Sequence, residues 1–251
     1  MAGMFENTSV LIIGATGGIG SAVARRFAQE GASLTLVARS PDRLRELADS
    51  LGGGALAIPA DATASAELER VVSAAEERWG RIDVMVHAVG SILLRSLHLT
   101  TEEQFRETLE LNLVSPFLAM KAVIPGMLKR RAGRIVVCSS VAGSKGLVNH
   151  EAISAAKGGL EAMVRSAAMT YAKKGVRVNG VAFGLIRTPL AAPIVSNESS
   201  LKVSVALHPM GRIGEPADAT EAILYLASER SSWTTGVVIP IDGGMAAGQS
   251  L

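Results

Sequence analysis

One cysteine, two tyrosines, two tryptophans and five phenylalanines are all that this 251-residue chain holds of those residue types. A single thiol builds neither a disulfide framework nor a cysteine-rich zinc site. Cys138, inside the apolar run Ile135–Cys138, reads as a buried structural thiol. Histidines and acids show no metal-ligand spacing, so no metal is expected. Unbroken apolar stretches are only a few residues long, against the roughly 20 of a membrane span. Met1–Ser9 shows no basic segment leading into an apolar one. A soluble cytoplasmic protein with no membrane partner is the expectation. Lys plus Arg number 25 and Asp plus Glu 23, a net charge of +2 that argues against a broad nucleic-acid-binding face. What is abundant is small and apolar, with 48% hydrophobic residues and 26 glycines. A chain of this length folded as one unit buries roughly 70–75% of its unfolded surface, enough to exclude disorder and any need for staples.

Short β-rich runs alternate with longer helical patterns throughout. The strands expected are Ser9–Ile13, Ser33–Ala38, Ala55–Pro59, Asp83–Ala88, Arg134–Ser139, Val176–Val181 and Gly236–Ile239. Several are continuously apolar, as strands covered on both faces are. Between them lie Gly18–Glu30, Pro41–Leu51, Ala64–Trp79, Thr101–Arg131, Glu151–Lys173 and Pro216–Ser228, with Gly31, Gly80 and Gly175 just past three of the ends. Such alternation predicts one α/β domain over residues 1–251, a Rossmann-type doubly wound parallel sheet of about seven strands. Pro116 and Pro125 inside Thr101–Arg131 predict a kink or break. Leu185–Met210 shows no regular pattern, and is expected to be a substrate lid near the C-terminal strand ends.

The first strand runs into Gly14-Ala15-Thr16-Gly17-Gly18-Ile19-Gly20, and a helix follows. Free backbone N–H groups and the positive helix end there suit a pyrophosphate. Gly14 permits the sharp turn, Gly18 the approach of phosphate, and Gly20 close packing of helix on strand. The spacing G-x-x-x-G-x-G differs from the commoner G-x-G-x-x-G, and an ordinary strand-to-helix turn is the alternative. At the end of the second strand, where an acid selects a free ribose 2′-hydroxyl, stand Ala38 and Arg39. A guanidinium suits a 2′-phosphate, which favours NADP(H) over NAD(H); a loop-capping surface arginine is the alternative.

Over nearly its whole length the chain resembles the short-chain dehydrogenase/reductase family, specifically its 3-oxoacyl-carrier-protein-reductase-like branch. The residues that carry the resemblance are Gly14–Gly20, Asp61, Asn112, the GRIVVCSSVAG run Gly133–Gly143, Lys157, GVRVN at Gly175–Asn179, PMGRIGEP at Pro209–Pro216, and Asp242-Gly243-Gly244. The resemblance implies that Asp61, with Ala62 beside it, meets the adenine. It implies that Ile186 and Thr188, after Phe183-Gly184, hold the nicotinamide carboxamide. Thr16, Ile19, Gly90 and Lys157 complete the implied cofactor contacts. Asn112, Ser140 and Lys157 match three members of the family's Asn-Ser-Tyr-Lys set. There serine orients a carbonyl, tyrosine protonates it, lysine lowers the tyrosine pKa and grips the ribose, and asparagine holds a relay water.

The fourth member belongs four residues before Lys157, one turn back on the same helix face, and that residue is Ile153. Neither Tyr171 nor Tyr225 restores the pattern, because the residues four beyond them are Gly175 and Glu229. Two further positions depart from the family: His87-Ala88-Val89-Gly90 replaces Asn-Asn-Ala-Gly, and Phe183-Gly184 replaces Pro-Gly. Three outcomes are open. His150, three residues before Ile153, supplies the proton, unless it is only a helix-start histidine. Or the acceptor is an imine or a conjugated enoyl group that does not need the phenol. Or the chain binds NADP(H) without turnover, as a sensor or structural subunit. His98 and Arg95 read as a solvated loop, and His208 as part of an ordinary turn. The substrate expected is small and largely apolar. The Ala-, Leu- and Met-rich helices Thr101–Arg131 and Glu151–Lys173 imply, by the resemblance, a homotetramer or homodimer.

Overall fold

The computed structural model describes residues 3–248. The apolar runs become seven strands: β1 Ser9–Ile13, β2 Ser33–Ala38, β3 Leu56–Pro59, β4 Val84–His87, β5 Gly133–Ser140, β6 Val176–Phe183 and β7 Val238–Ile241. All pair in parallel, in the order β3-β2-β1-β4-β5-β6-β7. The chain starts in mid-sheet, winds to one edge, then crosses to fill the other half. Between β1 and β4 the winding reverses and the following loops diverge, leaving a crevice beyond the strand ends.

Every residue of β1 is buried, and its alternation divides two cores. Val10 and Ile12 join Phe27 and Leu44 of helices α1 (Gly18–Gln29) and α2 (Pro41–Ser50), together with Ile223 of α9 (Pro216–Ala227). Leu11 and Ile13 face Val71 of α3 (Ser65–Trp79), Met127 of α5 (Ser115–Arg130) and Leu160 of α6 (Glu151–Tyr171). Boundary differences from the sequence reading are small. Gly236, expected to open β7, has φ of +78° and forms the turn before it.

The segment expected to kink at its prolines is one 29-residue helix, Glu102–Arg130. It comprises α4 (Glu102–Leu109), a π segment Glu110–Val114, and α5. Pro116 has no N–H for the Asn112 carbonyl four residues back, so the ladder widens before it, with the Ser115 N–H bonding Glu110. Pro125 sits inside α5 without ending it. By length and composition this helix would suit a membrane span, a feature the short apolar runs did not reveal. Its packing accounts for the composition: Ala119, Met120, Val123 and Met127 are buried in the core.

The patternless stretch 185–210 is largely helical. It holds a 3-10 turn at Pro189–Ala191, then α7 (Ala192–Val195) and α8 (Glu198–Ala206). The Asn197 side chain caps α8, accepting from the Ser200 N–H at 2.9 Å.

Candidate active site

At the β1–α1 turn the glycines are required by contact as well as by conformation. Gly14 has φ of +86°, and a Cβ on it would lie 2.8 Å from the Ala88 carbonyl of the neighbouring loop. A Cβ on Gly20 would overlap the Gly14 carbonyl oxygen. One on Gly18 would overlap Thr188, so the turn and the start of the 185–210 stretch meet there. Gly17 at the N-cap offers no side chain, leaving the first-turn N–H groups of α1 to the crevice. The turn is therefore a cradle shaped by missing side chains, as a dinucleotide pyrophosphate requires. Thr16 borders it, and Ile19 packs its side chain on the core.

Beyond β2 and β3 lie Arg39 and Asp61, the residues expected at the adenosine end. Arg39 is exposed. Asp61 accepts from the Thr63 N–H at 2.9 Å and hydroxyl at 2.7 Å, beside the buried Ala62. These bonds first, and the Arg39 charge last, hold its carboxyl below the usual range. Arg43, absent from the sequence reading, donates to the Thr16 carbonyl at 2.6 Å and so brings a guanidinium to the glycine turn.

On the other side of the switch point the remaining set converges. The Ser140 Oγ, at the end of β5, accepts from the Ala142 N–H at 3.2 Å. The buried Asn112 side chain donates to the Thr108 carbonyl at 3.0 Å and the Ser91 hydroxyl at 2.9 Å, and its Oδ1 accepts from the Ser91 N–H. Lys157 Nζ donates to the Cys138 carbonyl at 2.9 Å. Burial pushes this ammonium down to about 8, against the opposing pull of Cys138 and Glu161. Burial likewise pushes the Cys138 thiol up to about 12, the unreactive state expected of it. Ile153, only 5% exposed, lies one turn before Lys157. His150 stands at the N-cap of α6, its Nδ1 at 2.7 Å from the Val148 carbonyl. A carbonyl only accepts, so Nδ1 donates the proton of this bond. His98 is exposed, as expected of a solvated loop.

Three buried polar groups escaped the sequence reading. His87 Nε2 meets the Ser115 hydroxyl at 2.7 Å, and burial, then the Lys157 charge, pushes the imidazole down to about 3. Glu161, one turn beyond Lys157, accepts the Ser139 hydroxyl at 2.9 Å. Its spacing from Lys157 was visible, but its burial was not. His208 is no ordinary turn residue: its Nδ1 donates to the Ser204 carbonyl at 2.6 Å and its Nε2 accepts from the Leu185 N–H at 3.1 Å. One imidazole thus ties the two ends of the 185–210 stretch together, with Gly184 close against it. Between those ends the buried Ile186 bridges to Gly214, and Thr188 Oγ1 accepts from Ala191.

A seven-stranded parallel sheet with a glycine turn at its switch point and Ser, Lys and Asn beside it defines a nucleotide-linked oxidoreductase architecture. A family model described as Enoyl-(Acyl carrier protein) reductase matches residues 14–246. The chain is 36% identical to Oxidoreductase UcpA of Salmonella typhimurium, covering 99% of this chain and 98% of that one. It is 33% identical to the 3-oxoacyl-[acyl-carrier-protein] reductase FabG of Vibrio cholerae, covering 96% and 98%. A short-chain type dehydrogenase/reductase from Mycobacterium ulcerans, 30% identical, superposes with a TM-score of 0.93 over 98% of this chain and 92% of that one. The chain belongs to the short-chain dehydrogenase/reductase family, whose members bind a nicotinamide cofactor.

Proposed function

We propose that this chain is an NADP(H)-dependent oxidoreductase acting on a small, largely apolar carbonyl, enoyl or imine substrate through a site that lacks the family's tyrosine. The observation that carries the reading is the cradle at Gly14, Gly18 and Gly20, built where backbone replaces side chains, with the Arg43 guanidinium on the Thr16 carbonyl and Ala38-Arg39, rather than an acid, at the end of β2. Reduced NADP supplies the hydride when bound. Backbone N–H groups of the α1 turn bind the pyrophosphate, Arg39 takes the 2′-phosphate, and Asp61 takes the adenine amino group. Ile186 and Thr188 hold the carboxamide, while Ser140 orients the reacting oxygen and Asn112 orders the proton path. The lid at 185–210 excludes water from the reacting centre. Its outer apolar residues Leu190, Val203, Leu207 and Met210 support an apolar substrate.

The test pairs binding with turnover. NADPH is expected to bind at least tenfold tighter than NADH, and Arg39→Ala to erase most of that difference, as followed by nicotinamide fluorescence. Hydride transfer is then measured on ketone, enoyl and imine panels for the wild type, Ile153→Tyr and His150→Ala. NADH binding as tightly as NADPH would sink the cofactor assignment. The second reading, a sensor or structural subunit that binds NADP(H) without chemistry, rests on Ile153; tight NADPH binding without turnover on any panel selects it.

A further inference from the structure

Lys157 carries three N–H groups and spends one, on the Cys138 carbonyl. The other two find no protein acceptor among the described residues. Nζ faces the rim of the cofactor cradle, where a Cβ at Gly90 would stand 3.6 Å from it and 2.9 Å from Asn112 Oδ1. One turn back, the buried Ile153 has no proton to give.

We propose that Lys157 is itself the proton donor of this site, and that the substrate is a ketone or a conjugated enoyl compound, which gathers negative charge on oxygen, rather than a cationic imine. The proposal rests on reading the chain as a hydride-transfer enzyme.

The charges around Nζ support both halves. Cys138 faces it from β5, His87 from β4, and Glu161 from the next turn of α6. Burial keeps the thiol and the imidazole neutral near pH 7. The Glu161 carboxylate is engaged by Ser139. Other charges on elements packed against α6 lie elsewhere. Arg177 is bound at the far end of β6 by Ser228, Ser231 and Thr234, and Glu102, Glu103, Arg106, Glu107 and Glu110 of α4 and the π segment are exposed. The ammonium therefore repels an iminium and stabilises an oxyanion. Held near 8, it is charged at neutrality and acidic enough to let go of a proton.

In the ketone case hydride forms the new C–H bond at the carbonyl carbon, and the C=O π pair moves onto oxygen. That oxygen forms O–H with the Nζ proton, and the N–H pair stays on nitrogen. An alcohol and a neutral amine result, and the amine recovers its proton from water. In the enoyl case hydride adds at the β carbon, and the enolate oxygen takes the same proton. His150 has its Nδ1 proton committed to the Val148 carbonyl.

Lysine 13Cε NMR of the free protein, with Lys157→Arg to assign the resonance, reads the titration directly. A midpoint near 8 is expected, and one above 10 overturns the proposal. Single-turnover rates with NADPH on ketone and enoyl panels are expected to fall tenfold per pH unit above that midpoint. Lys157→Arg is expected to lose that limb and at least 100-fold in rate, while His150→Ala keeps the limb. A limb that survives in Lys157→Arg, or vanishes in His150→Ala, overturns the proton role alone. Robust imine reduction with neither ketone nor enoyl turnover overturns the substrate half. No turnover on any panel, with NADPH bound, overturns the oxidoreductase reading beneath it.

Discussion

His87 sits in mid-sheet between Ile13 and Val137, hydrogen-bonded to Ser115 and near the Lys157 charge. Its pKa falls from 6.5 to about 3 on folding, chiefly through burial. Below pH 6.5 the unfolded chain takes up a proton that the native ring refuses, so stability falls with pH until the native ring also titrates. The loss is about 1.4 kcal/mol per pH unit in that window, or roughly 2 kcal/mol at pH 5. His87→Asn keeps a group able to bond Ser115 and removes the titration. The wild type is expected to lose more in its urea midpoint between pH 7.5 and pH 5 than His87→Asn does. Equal losses would show that His87 is already protonated in the native state. Nothing in the sequence marked this histidine as a buried base, because its surroundings come largely from α5, β5 and α6, far along the chain.

Elements differed in how far they could be read ahead. The β1–α1 unit was legible because a tight turn between strand and helix admits few residues at each position. Asn112, Ser140 and Lys157 were singled out by resemblance to the family, and the fold sets Asn112 and Lys157 on either side of the Gly90 backbone. The helical structure of 185–210 was not legible, since its short helices are held by His208 bridging Ser204 and Leu185, a tie that no local pattern encodes. The kink or break expected from Pro116 and Pro125 takes the form of a π segment for a related reason: a proline marks a weak point, but the ladder shift falls on the residues before it. The glycine turn yields a sharp contrast. A side chain at Gly20 collides with the Gly14 carbonyl, and the +86° φ at Gly14 leaves that carbonyl little room to move. Gly52 also has positive φ, of +90°, but nothing stands within 4 Å of its virtual Cβ. Gly20→Ala is expected to weaken NADPH binding at least tenfold and to cost about 1–3 kcal/mol, a drop of several degrees in Tm. Gly52→Ala is expected to leave binding unchanged, with only the backbone cost of about 1 kcal/mol. Calorimetry and fluorescence titration of both variants check this. Unaltered NADPH affinity in Gly20→Ala would remove the turn from the cofactor site.

Two apolar patches lie on different parts of the whole molecule. One is on the outer faces of α5 and α6, where Phe117 is 48% exposed and Met169 is 84% exposed. The other lies by the β7 edge, where Trp233 is fully exposed beside Tyr225 and Val237. Among the described residues β7 pairs only with β6, and Pro240 within it has no N–H to offer a further strand. That edge is suited to coverage by packed side chains rather than by sheet extension. A patch that meets its own copy does so across a two-fold axis, and two such patches on one chain generate a closed tetramer of dihedral symmetry. A net charge of +2 sets little repulsion against it. Light scattering after size exclusion is therefore expected to give the mass of four chains. Met169→Asp and Trp233→Asp should each give two, and the double variant one. Tm should rise with protein concentration in the wild type and lose that dependence in the double variant, because association stabilises only the folded chain. A wild type that runs as a single chain at every concentration would leave both patches without a partner copy. Tetramers surviving either substitution would assign that patch to another role.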